Sequence, residues 1–138
     1  MKIKTSQNLK GRVEIYDLNG DLVWQNKNAV TIAGRSLVMD FLRTDGGTGL
    51  DDIIAIEDTT QEIIRKEAVN IHNVSDTETR YNFFLTEDDV PNETLEKLKL
   101  MANGATLTLD TGTSYAEVSP SIEKGPNQSL LIVWTVMT

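Results

Sequence analysis

Gly11-Arg12-Val13-Glu14-Ile15-Tyr16-Asp17-Leu18-Asn19-Gly20-Asp21-Leu22-Val23-Trp24 is a pair of β-like runs around an Asn-Gly dipeptide. Val13 and Ile15 alternate with Arg12, Glu14 and Tyr16, and Leu22, Val23 and Trp24 resume the apolar pattern after Gly20. Such a pair predicts a β-hairpin with a type I′ turn, because both central residues of that turn need φ > 0. In that register Ile15 faces Trp24 across the ladder, a favourable aromatic to β-branched pair. The hairpin sets the fold class: mainly β.

Strand patterns continue through most of the chain. Ile53, Ile54 and Ile56 read as a short buried strand, Val69 and Ile71 as another, and Tyr81, Phe83 and Leu85 alternate with Arg80 and Asn82 as a third. Ser75 to Glu78 reads as a polar turn, and Glu87 to Asp89 with Pro91 as a connection. Residues Asn92 to Met101 support two assignments. Leu95, Leu98 and Met101 have helical spacing, with Glu93 and Glu96 ahead of Lys97 and Lys99, whereas Leu98 and Leu100 share a face at period two. Asn103-Gly104 turns the chain, Thr106 to Leu109 reads as a strand, and Gly112 breaks it. In the last strand, Ser129 to Met137, Leu130, Ile132, Trp134 and Val136 form one apolar face. Leu131, Val133 and Met137 form the other. A strand apolar on both faces belongs at the centre of a sandwich or under a partner.

One segment reads as an α-helix, about residues 31–43. Thr31 is a suitable N-cap, Ala33, Leu37 and Phe41 recur at four-residue spacing beside Val38 and Leu42, and Arg43 complements the helix dipole. Gly34 weakens it by about 1 kcal/mol relative to Ala. Thr44 to Gly49, with three glycines, ends it as a loop. Thr59 to Glu67 stays open: Thr59 and Glu62 have capping-box spacing, but the stretch is only about two turns long. The expected architecture is an antiparallel β-sandwich with one packed helix, residues 11–138 as one domain, preceded by an arm of residues 1–10 without core periodicity.

The 138 residues include no cysteine and carry a formal charge of −8. Thiolate metal sites, disulfides and a cysteine nucleophile are therefore excluded. Lys and Arg are scattered rather than clustered, so no phosphate-binding surface and no nucleic-acid partner is expected. Met1 to Lys10 lacks the apolar run of a signal peptide, and Leu130 to Trp134 is too short to span a bilayer, so no membrane partner is expected.

Chemistry-bearing residues are few. The single histidine, His72, sits in a strand-like segment, where an outward-facing residue is the ordinary reading, and no serine occupies a nucleophile elbow. Zinc would need three or four His or Cys ligands, and no phosphate-binding Gly-rich loop ends in Lys and Ser or Thr. Asp45, Asp51 and Asp52 flank the Gly-rich loop and are the residues a calcium ion would use, although their spacing is not that of an EF-hand. Glu57 with Asp58, and Asp88 with Asp89, are acid pairs of the kind glycosidases use. Trp24 and Trp134 read as core residues, leaving no sugar platform. No catalytic, cofactor-binding or metal residue is assigned, no cofactor is expected, and the chain reads as a non-enzyme.

Several segments together resemble a family of small tail-associated virion proteins of bacteriophages. Asn28-Ala29-Val30-Thr31-Ile32-Ala33-Gly34-Arg35-Ser36-Leu37 is similar to the family's step from hairpin to helix, and Thr59 to Arg65 to its Thr-x-x-Glu-x-x-Arg stretch. Thr94 to Leu100 followed by Asn103 to Leu107 resembles a later strand and turn, and Lys124, Ser129, Leu130, Ile132, Trp134 and Thr135 its ending. Glu57-Asp58 and Lys97-Leu98-Lys99 depart from the pattern. The resemblance favours a strand over residues 95–101. It implies a structural component of a phage virion, on the tail or baseplate, assembled in the host cytoplasm. Such a component contacts other virion proteins and is present in multiple copies or as a homo-oligomer. A capsid decoration or head-fibre attachment protein is the alternative, and a receptor- or carbohydrate-binding module a further one. Separately, the arm's lack of core pattern and its Lys2, Lys4 and Lys10 predict that it docks on a neighbouring chain, with a short edge strand from Ile3 as the alternative.

Overall fold

The computed structural model describes residues 10–30, 50–75, 78–102 and 104–137. Its strands are β1 (Lys10–Asp17), β2 (Leu22–Val30), β3 (Leu50–Glu57), β4 (Glu62–Glu67), β5 (Asn70–Ser75), β6 (Glu78–Leu85), β7 (Thr94–Leu95), β8 (Lys97–Ala102), β9 (Thr113–Val118), β10 (Ile122–Glu123) and β11 (Leu130–Met137). Nine form one antiparallel sheet in the order β4-β3-β8-β9-β2-β1-β11-β6-β5, and β7 pairs with β10. Among the described residues there is no helix. The expected helix at 31–43 and the Gly-rich loop after it lie outside the described residues, as does the arm up to residue 9. Lys10, placed in the arm by the sequence, instead opens β1 by pairing with Ala29 and Met137.

The long sheet folds on itself because its apolar side chains share one inner face. Val13, Trp134 and Tyr81 form one row across β1, β11 and β6, and Ile15, Ile132 and Phe83 the next. Across β3, β8 and β9 the rows are Ile56, Leu98, Val118 and Ile54, Leu100, Ala116. Both sets belong to one buried cluster, giving a sandwich-like arrangement. The two layers join where β2 meets β9, a ladder of only Ala29–Glu117 and Val30–Ala116. On the other side Ala68 N–H donates to Asp52 O and Val69 N–H to Asn82 O, each at 2.8 Å, stitching the layers where β4 leads into β5.

β11 is central, as its two apolar faces require: β1 lies on one side and β6 on the other. Residues 97–102 form β8, so period two prevails over helical spacing, and β8 takes up both β3 and β9. Thr106 to Leu109 is not a strand. Thr106 and Thr111 bind one another and nearby backbone, and such local bonds compete with a ladder.

The β1–β2 hairpin keeps the expected Ile15–Trp24 pair, but the turn is not type I′. Gly20 N–H donates to Asp17 O at 3.1 Å, and Asp17 N–H to Asp21 O at 2.9 Å. Gly20 has φ of +84°, whereas Asn19 is absent from the positive-φ residues. This is a type I turn followed by a left-handed glycine, with a bulge that sets Tyr16 opposite Leu22. Asp17 decides it, since its Oδ1 accepts the N–H of Asn19 at 3.0 Å and of Asp21 at 2.9 Å. Gly20→Val is therefore expected to cost about 1–3 kcal/mol, while Asn19→Ala leaves the urea midpoint nearly unchanged. Equal losses in the two unfolding curves would restore the type I′ turn.

Candidate protein-binding surface

Four strands bring an apolar row to the outer face beside the hairpin turn. The ladder places Leu22 of β2 next to Tyr16 of β1, Tyr16 next to Leu131 of β11, and Leu131 next to Phe84 of β6. Tyr16, Leu18, Phe84, Ser129 and Leu131 line an open depression of about 420 Å³, and Leu18 beside it is 76% exposed. Its walls are carbon almost throughout, so it suits an apolar side chain better than a sugar. The Tyr16 hydroxyl donates to Glu14 Oε2 at 2.8 Å. That bond first, then burial and the Glu14 charge, raises the Tyr16 pKa, so the phenol stays a neutral donor.

On the opposite layer a hydrogen-bonded loop presents two more leucines. Ile53 and Ala55 face outward from β3, and with Met101 they are covered by Ala105 in a second small core. The covering loop is held by a buried ion pair. Arg65 Nε donates to Glu62 Oε1 at 2.8 Å, with both side chains almost wholly buried. Arg65 Nη1 also reaches Thr106 O at 2.9 Å and Thr111 Oγ1 at 3.0 Å, and Asp110 N–H donates to Glu62 Oε2. Three residues apart, Glu62 and Arg65 should face opposite ways on a regular strand. The register shift at Ile56/Glu57 pairs Glu62 with Glu57 but Ile64 with Ile56, which leaves Ile63 as the extra residue and turns both charges outward. The loop thus holds Leu107 and Leu109 at the surface.

A third exposed apolar group, Val69, Ile71 and Val74, lies on and beside β5, at one end of the long sheet.

The acidic residues singled out in the sequence do not converge. Asp45 lies outside the described residues. Asp51 Oδ2 accepts the Ala105 N–H at 2.9 Å, so it supports the loop. Asp52 has φ of +61°, and its pKa is raised by burial, then by the charges of Glu67 and Asp51. Asp58 starts β4 as an Asx turn, accepting from Thr60 and Gln61 N–H at 2.8 Å; those two bonds lower its pKa. Glu57 is ion-paired to Lys99. Asp88 lies exposed in the 86–91 connection, whereas Asp89 pairs with Lys66 at 2.8 Å and accepts the Thr86 N–H at 2.9 Å. Burial pushes the Asp89 pKa up, but the Lys66 and Thr86 bonds outweigh it and the net shift is downward. Among the described residues no three His, Cys, Asp or Glu are placed to hold a metal ion. His72 is exposed on β5, opposite Arg80.

Lys124 was visible only through the resemblance, yet it is fully buried. Its Nζ donates to Glu87 O at 3.3 Å, and its backbone bonds to Glu93 and Asn92 extend the β7–β10 pair. Burial lowers its pKa, and Asp89, Asp88 and Glu87 act against that shift. The outer-face row of Tyr16, Leu131 and Phe84 was missed by the sequence reading. Its signals were an aromatic at the polar phase of two strands, Tyr16 and Phe84, and the second apolar face of the last strand, to which Leu131 belongs.

Compared with family models, with curated proteins and with solved structures, the chain finds no match in any of the three.

Removing Arg65 leaves a buried carboxylate without its cation, and Arg65→Ala is expected to cost about 3–5 kcal/mol and to speed amide exchange across 105–112. Gly112→Ala should loosen the same loop. Gly112 has φ of +77°, and an added Cβ would lie 2.5 Å from Ala105 Cβ. The lowered Asp89 pKa contributes stability that is present above the ordinary Asp range and lost as pH falls through the folded value. Acid titration should therefore destabilise wild type more than Asp89→Asn, as read by melting temperature.

Proposed function

We propose that this chain is a non-enzymatic structural component of a bacteriophage particle, on the tail or its baseplate, acting through protein–protein contacts. The observation that carries the proposal is the apolar depression between Tyr16, Leu131 and Phe84, continued by exposed Leu18 and Leu22. Contiguous apolar surface of this kind on a folded domain is what a partner protein covers.

Three of the four stretches that resemble phage tail-associated proteins fit the same reading, because their described residues include joints of the scaffold. Glu62 and Arg65, of Thr59 to Arg65, bond Thr106 and Asp110 in the loop where the next stretch ends. Of the ending, Lys124, Leu130, Ile132, Trp134 and Thr135 are buried. Residues that build a scaffold leave its surface free to contact neighbouring virion proteins, in multiple copies per particle. The tryptophans point the same way: Trp134 is fully buried and Trp24 packs on the core, so neither offers a sugar platform.

Leu131→Glu and Phe84→Lys place a charge in the depression without touching the inner core. Each is expected to leave the melting temperature within a few degrees of wild type and to reduce incorporation into particles, measured by quantitative mass spectrometry of purified virions. Normal incorporation of both variants would overturn the proposal. Binding of wild type to a glycan array, abolished by Phe84→Lys, would replace it with a receptor-binding role.

A further inference from the structure

From the two ends of the nine-stranded sheet we infer that β5 is a self-pairing edge, and that two copies of this chain join β5 to β5 antiparallel about a twofold axis. The inference gives an address to the homo-oligomer part of the proposal above and rests on that part alone.

An edge strand presents unpaired N–H and C=O groups, and monomeric proteins protect such edges with charge, proline, bulges or covering loops. The two edges here differ. In β4, Glu-Ile-Ile-Arg-Lys-Glu, four of six residues are charged. The buried Glu62–Arg65 pair fastens the 105–112 loop over that strand, and Lys66 is engaged by Asp89. That edge is protected. In β5, Asn-Ile-His-Asn-Val-Ser, no residue is formally charged at pH 7, none is proline and all six are exposed; a one-residue bulge at Val74 confines the regular edge to Asn70–Asn73. Nothing among the described strands pairs with its outer side, since β5 ends the sheet. Ile71 is 42% exposed and Val74 43%, and Val69 just before the strand is 67% exposed.

The occupant follows from these contrasts. A head-to-tail contact would need β4 to meet β5, and β4 brings four charged side chains to that meeting. Sheet continuation between copies therefore has one edge to use on each, which makes the contact isologous. Identical strands with no formal charge bring no like charges into register, although each whole chain carries a formal charge of −8. Pairing also covers Ile71 and Val74 from both copies, which water otherwise meets.

The test uses the whole purified chain. Wild type is expected to be a dimer by sedimentation velocity, and Ile71→Lys, which puts on this edge the residue natural edges use, should weaken dimerisation about tenfold or more with an unchanged melting temperature. The chain has no cysteine, so Asn73→Cys treated with a short bis-thiol crosslinker should give a covalent dimer, while Thr108→Cys on the opposite layer should not. Crosslinking keeps the edge otherwise intact and decides the question if Ile71→Lys impairs folding. A monomeric wild type, a dimer insensitive to Ile71→Lys, or equal crosslinking at both cysteines would overturn the pairing. A monomer that still enters particles would overturn it while leaving the virion proposal standing.

Discussion

Everything in this molecule leans on the double pairing of β11. Its inward residues, Leu130, Ile132 and Trp134, are wholly buried, and its ladders to β1 and β6 each run from Leu130 to Met137. Through those ladders the hairpin that opens the described chain is tied to the last described strand, a closure on the order of a hundred residues whose entropy must be offset by burial. The row of Val13, Trp134 and Tyr81 shows how that offset arises, with Tyr81 and Phe83 stacked at a centroid distance of 6.5 Å beside it. Burial also raises the Tyr81 pKa to about 12. Among the described residues the Trp134 indole N–H has no hydrogen-bond acceptor.

The second layer is organised by charge as well as by carbon. A buried Glu–Arg pair alone is weak evidence for stability, because desolvation consumes much of the attraction. Here the two side chains spend their remaining hydrogen-bonding capacity on Thr106, Asp110 and Thr111. The pair therefore specifies one position for a loop that has no ladder of its own. That loop covers Ile53, Ala55 and Met101, which explains why β3 is apolar on both faces. Lys124 plays a similar part near β7 and β10, joining the acidic 87–89 connection to the scaffold.

The resulting surface is uneven. Both outer faces carry apolar groups, yet those of the β3–β8 layer stand on an anchored loop and those of the β1–β11–β6 layer line a depression. The sheet ends differ as well, one rich in charge and the other without formal charge. Such asymmetry suits a building block with more than one neighbour, since each contact is then made by different chemistry.

Period-two alternation determined from the sequence alone that residues 11–24 form a hairpin with Ile15 against Trp24, that 53–56 and 81–85 are strands, and that the last strand is central or covered by a partner. Those features depend on neighbours in the chain or on a composition only a sheet interior tolerates. The sequence left 92–101 open, and tertiary structure decided it, because β8 satisfies its backbone by pairing with β3 and β9 at once. The turn at Asn19-Gly20 went the other way from its dipeptide, since the Asp17 carboxylate supplied a competing acceptor. Glu62 and Arg65 were legible as residues but not as a pair: a single extra residue at Ile63 reverses the face of what precedes it, and strand periodicity carries no sign of a bulge. The candidate binding surface was hidden for a related reason. Tyr16 and Phe84 look ordinary in their own strands, Leu131 belongs to the second apolar face of the last strand, and only the ladder between strands makes the three neighbours.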